Sequence, residues 1–214
     1  MKRIIAVIAI LLIVLFGGCQ MKKDVKPSEM SPNDLPDERA FQDEFTREFL
    51  QSAEETRPGY YPFLSKTGKY AMDFPGGGVI NKPSYSLRKN NFEFIDTWIS
   101  RSNDNGASLS IMYYGSHDAK QIEDHLDWFK DRLGSNVEFE EHAYKNKNKI
   151  TYFSNFIDKD FNHMVAFLQN TEKPGGIELI YTVDCLLDNQ CKEDENLNKE
   201  IFLDWINSIE FIND

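Results

Sequence analysis

The chain has 214 residues, 41% hydrophobic and 13% aromatic, with 35 acidic side chains against 24 basic ones and a formal net charge of −11. So acidic a chain is a poor partner for nucleic acid, which requires basic patches that displace counterions from phosphates. The charge equally argues against electrostatic docking to anionic lipid. Sixteen Phe and nine Tyr are enough to fill the core of one domain.

Lys2 and Arg3 precede thirteen residues without a polar side chain, Ile4 to Phe16, and then Gly17-Gly18-Cys19. A positive start, a short apolar run and small residues at the exit are the marks of an export signal. As a helix the run reaches only about 20 Å at 1.5 Å per residue, short of the roughly 30 Å of hydrocarbon that a permanent span must cross. The cysteine after two glycines resembles the lipobox of bacterial lipoproteins, with Phe16 where that family usually has Leu, Val or Ile. The resemblance implies cleavage after Gly18, a diacylglycerol on Cys19, and a protein held on the outer side of the cell membrane. Two acyl chains hold a protein stably where one does not. Loss of residues 1–18 removes two cations and no anion, so the mature charge is −13. Gln20 after the cysteine and abundant Lys, Asn and Ile point to a Gram-positive source.

Residues 19–35 read as the lipidated cysteine and a polar, proline-bearing tether. A single α+β domain is expected over 36–214. Asp34 reads as an N-cap with Pro36 in the first turn of a helix over 36–55. Phe41, Phe45 and Phe49, four apart, would share one face of it. That face either packs on the domain's own sheet or docks a partner protein, which makes the three rings the candidate partner-binding residues.

From Tyr60 onward the pattern is strands and turns. Tyr70–Phe74, 92–99 and 107–114 alternate as strands, the last two joined across Asn103-Asp104-Asn105-Gly106. A helix follows over 118–133, with Gly134 at its C′ position. Strands at 137–144, 149–157, 162–170 and 177–184 come next. A closing helix over 195–207 would present Leu197, Ile201 and Trp205 as one stripe, and 209–212 ends the chain as a short strand. This order predicts an α+β fold with a largely antiparallel sheet flanked by helices.

The strand ending in Phe74-Pro75, the central meander and the final helix with its Ser208-Ile209 strand resemble the αβα sandwich of PsbP and of certain Ran-binding proteins, over about 60–214. The amino-terminal stretch is similar to Firmicute lipoproteins of the YvcA type. PsbP-like proteins generally bind and stabilise larger assemblies and are mostly not enzymes. No site residue of that family maps here by motif.

A search for chemistry finds little. Gly76-Gly77-Gly78 lacks the context of a phosphate loop. Asp158-Lys-Asp160 opens like a calcium loop, but His163 and Gln169 stand where Gly and Glu belong, so it reads as an acidic turn. Ser116, His117 and Asp118 are neighbours that cannot form a relay and read as helix caps. The four histidines lack zinc spacing; His117 and His125, eight apart on one helix, would lie about 12 Å apart. Cys185 and Cys191 can form a disulfide outside the cytoplasm or stay free thiols. No catalytic residue, metal ligand or cofactor is expected. The functional expectation is a lipid-anchored, non-enzymatic interaction module for an envelope protein partner, with a small-ligand binder and an envelope enzyme as alternatives.

Overall fold

The structure, a computed structural model, describes residues 25–100, 106–134, 137–143, 148–158, 161–184 and 195–213. The chain enters through two 3-10 turns, Pro27–Glu29 and Pro32–Asp34. Pro27 is buried and Leu35 packs on the core, so part of the expected tether lies against the domain.

The helix expected over 36–55 is replaced by two single turns, α1 (Arg39–Gln42) and α2 (Glu44–Arg47). Asp43 breaks it. At φ −86, ψ 118 it leaves helical space, and its carboxylate accepts from the Thr46 backbone N–H at 2.7 Å and the Thr46 hydroxyl at 2.6 Å. A short polar side chain that bonds nearby backbone competes with the helix and caps a new turn instead. The Thr46 hydroxyl in turn accepts from the Ile80 N–H at 2.9 Å, closing a sheet edge that would otherwise be open to other chains.

Two antiparallel sheets follow. The small one pairs β1 (Tyr60–Leu64), β2 (Tyr70–Pro75) and β11 (Glu210–Phe211) in the order β1-β2-β11. The large one contains β3 (Gly78–Ile80), β4 (Ser86–Arg88), β5 (Phe92–Ser100), β6 (Gly106–Tyr114), β7 (Glu140–Ala143), β8 (Lys149–Asp158), β9 (Phe161–Asn170) and β10 (Gly176–Asp184). Its order is β3-β5-β6-β10-β9-β8-β7, with β4 beside β3 on the outer side of β5. The α+β expectation holds. β3 and β4 were not anticipated; three residues each, they are too short for a period-2 pattern to register.

Alternation along the strands decides what each face meets. The inner row Ile95, Ile111, Leu179, Ala166 and Phe153 runs in register across five strands and is fully buried. It packs under the small sheet, the entry turns and helix α4 (Glu195–Ser208), forming the main core. On the outer face, helix α3 (Ile122–Leu133) buries Phe129 against Val165 and Phe167. Gly134 ends α3 in the left-handed region at φ 65, as its C′ position requires. The resulting layers are those of an α+β sandwich.

In α4 the buried stripe is Asn198, Phe202, Trp205 and Ile206, not the expected Leu197, Ile201 and Trp205. Leu197 and Ile201 are 55% and 40% exposed. The helix is turned by its ties: the Trp205 indole N–H donates to the Asp73 carbonyl at 2.7 Å, and Ser208 Oγ accepts from the Asp73 N–H at 3.1 Å. Its last carbonyls meet the buried Lys149 ammonium, which donates to Ile206 O at 2.6 Å and to Ile209 O. A cation at a helix C-terminus satisfies orphan carbonyls and complements the dipole.

Candidate functional site

Phe41, Phe45 and Phe49 do not form a docking face. They are 1%, 9% and 0% exposed and belong to the chain's own core. Phe41 meets Tyr61 edge-on at 4.6 Å, Phe45 meets Tyr85 at 5.3 Å, and Phe49 stacks on Phe63 at 5.3 Å. The spacing of four was real, but it serves burial against β1 and the loop before β4. Cys19, Cys185 and Cys191 lie outside the described residues.

Helix α3 reaches β6 through Arg132 at Met112 and His125 at Tyr114, and the outer face of β5 lies beyond these contacts. Phe94 and Met112 are half-buried, and Trp98 is 58% exposed. Between the rings sits Asp96, which accepts from Ser110 Oγ and Ser84 Oγ at 3.4 Å each. On α3, Trp128 is 48% exposed. Trp98 and Trp128 are thus two exposed indoles among the described residues. Aromatic anchors with a hydrogen-bonding patch are the composition of protein contact surfaces.

Trp128 is held by a buried polar cluster that sequence reasoning dismissed. His117 and His125 were expected about 12 Å apart on a shared helix; their ring centroids are 4.7 Å apart. The difference arises because His117 sits before the helix, in the turn after β6, with Asp118 capping the 3-10 turn Ala119–Gln121. Both rings pack on Phe167, at 4.9 and 4.2 Å. Beneath them Glu178 of β10 is 1% exposed, with His125 Nε2 2.9 Å away and the Arg132 guanidinium in contact. Arg132 in turn lies 4.6 Å from the Trp128 ring centroid.

A carboxylate so deep in the sheet is tolerable because the Arg132 guanidinium meets it there. Burial, followed by the neighbouring His125, pushes the His117 imidazole below its ordinary range. At neutral pH it is therefore an uncharged ring wedged between α3 and the sheet. Gly176 completes the fit: a Cβ there would stand 2.2 Å from the Phe167 ring. Chemically the cluster acts as a clamp between α3 and β10. Among the described residues no group of three or more His, Cys, Asp or Glu is arranged to hold a metal ion.

On the other side of the sheet a small apolar recess of about 50 Å³, partly open to solvent, is lined by Tyr60, Leu109, Tyr181, Ile201, Phe202 and Trp205 among others. The exposed Ile201 forms part of its rim.

No described helix is long and apolar enough to cross a membrane. The family model described as "Putative lipoprotein YvcA" matches residues 36–210. A Bacillus subtilis (strain 168) protein with that same description is 31% identical over 242 aligned residues, covering 100% of this chain and 98% of the relative. The chain belongs to the YvcA lipoprotein family.

Proposed function

We propose that the protein is a lipoprotein anchored through Cys19 on the outer side of the cell membrane, where it acts as a non-enzymatic docking module for an envelope protein. The observation that carries this reading is the exposure of two large indoles, Trp98 on the outer face of β5 and Trp128 on α3. Large exposed apolar side chains grouped on one face mark contact sites on soluble domains. The clamp behind Trp128 favours the same reading, since a pre-oriented aromatic loses less freedom on binding. Membership of a lipoprotein family supports the anchor.

The small-ligand alternative calls for an enclosed apolar cavity, whereas the recess between α4 and the sheets is open among the described residues. The docking reading is the stronger one. It is tested with a photo-crosslinking amino acid at position 98 in living cells. One defined protein adduct is expected, absent when the crosslinker sits at exposed Lys120 instead, and lost with Trp128→Asp while the domain stays folded. An adduct pattern identical at both positions would contradict the reading.

A further inference from the structure

The charge of the chain is unevenly placed. Nineteen consecutive residues, Phe74 to Phe92, contain no Asp or Glu, although the chain has 35 of them, and three of the nineteen are basic: Lys82, Arg88 and Lys89. The fold sets this stretch on one edge of the large sheet, where β4 runs outside β5 and turns back at Arg88–Asn91. All three cations are exposed, and Leu87 beside them is 39% exposed. None of the three is ion-paired with a described carboxylate. At the tip, Lys89 and Asn90 both adopt left-handed backbone, φ 49 and 54. Gly, Asn and Asp are the usual residues of such a turn, so a lysine there bears conformational strain.

The same edge receives the chain from its amino-terminal leader. Lys82 lies over Phe45 at 5.4 Å, Tyr85 packs on that ring, and α2, which carries Phe45, rests against the Pro27–Glu29 turn. Only the seven residues 20–26 stand between Cys19 and the buried Pro27. Fully extended they reach about 25 Å. They add Lys22, Lys23 and Lys26 against a single Asp24.

We propose that this edge is the membrane-facing side of the domain, with Lys82, Arg88 and Lys89 resting on anionic phospholipid headgroups and Leu87 at the interface. The proposal rests on the acyl anchor at Cys19. The occupant is the bilayer because so short a connection keeps this edge within reach of it, and because its three exposed cations, none ion-paired with a described carboxylate, complement anionic headgroups. The mature charge of −13 does not oppose this contact: at 0.1 M salt, charges more than about 10 Å away are largely screened.

The test uses the full lipidated chain reconstituted on vesicles of phosphatidylcholine alone or with phosphatidylglycerol, and follows acetylation of single lysines by mass spectrometry. Lys82 and Lys89 should react about tenfold more slowly on the anionic vesicles, with exposed Lys120 unchanged. The protection should vanish at roughly 1 M salt, where screening falls to about 3 Å. In Arg88→Glu/Lys89→Glu, Lys82 should regain its reactivity while the thermal midpoint holds. A chain that floats with the vesicles but reacts equally on both compositions overturns the docking alone. A chain that fails to float overturns the anchor and the docking together. Protection by soluble poly(glycerol phosphate) but not by vesicles would assign the edge to a polyanion and also overturn the proposal.

Discussion

The buried imidazole of His117 shows how one residue links pH to the stability of the outer face. Its pKa lies below the unfolded value because burial disfavours the cation, with His125 adding to the effect. Between those two pKa values the unfolded chain binds more protons, so stability is full above the ordinary histidine range and is lost as pH falls through it. His163, lowered by burial with Asp158 opposing, acts in the same direction. The urea midpoint should therefore drop between pH 7.5 and 5.5, and His117→Gln should make that drop shallower. An unchanged slope in the variant would show that His117 is not linked to folding. None of this was legible from spacing. Eight residues were converted to a distance along a helix, but the helix begins after His117 and the turn folds the ring back onto Phe167.

At the scale of elements, α3 and strands β5, β6, β8, β9 and β10 were readable because their apolar residues repeat with the period of one buried face. The stretch 36–55 was not. Its four-residue spacing came from rings that two separate turns deliver to β1 and Tyr85, and the Asp43 cap that breaks the helix looks in sequence like any polar helix residue. The orientation of α4 was hidden for a related reason. Leu197 and Ile201 are more hydrophobic than Asn198, yet the bonds to Asp73 and Lys149 turn Asn198 inward.

Lys149 offers the direct test of that account. At 2% exposed, its ammonium donates to carbonyls at the end of α4. Lys149→Met should cost about 2–4 kcal/mol by leaving them unpaired. The loss should appear as early hydrogen exchange in 195–208, ahead of α3. A variant as stable as the parent would mean that water serves those carbonyls equally well.

For the whole molecule, the sandwich explains why sequence and structure divide the question of function between them. The leader and Cys19, on which the proposed location rests, lie outside the described residues. The folded part shows which side chains stay exposed once the core has taken its share: Trp98 and Trp128, and the cations around Lys89. Phe41, Phe45 and Phe49 were the natural candidates in sequence because large apolar rings look alike whether they end inside or outside. Only the pairing of β1 with β2, and the turns laid over it, puts them inside. The free indoles could not be told apart from the core ones for the same reason: Trp98 lies on the outer face of β5 and Trp205 faces inward, both in alternating or periodic surroundings.

The proposed docking face and the proposed membrane-facing edge both depend on the proposed acyl anchor at Cys19. Intact-mass and peptide mass spectrometry of the protein extracted from its own membranes tests that anchor most directly. The account predicts an amino-terminal peptide that begins at Cys19 and carries a thioether-linked diacylglycerol. A peptide that still runs from Met1 through an unmodified Cys19 would contradict it.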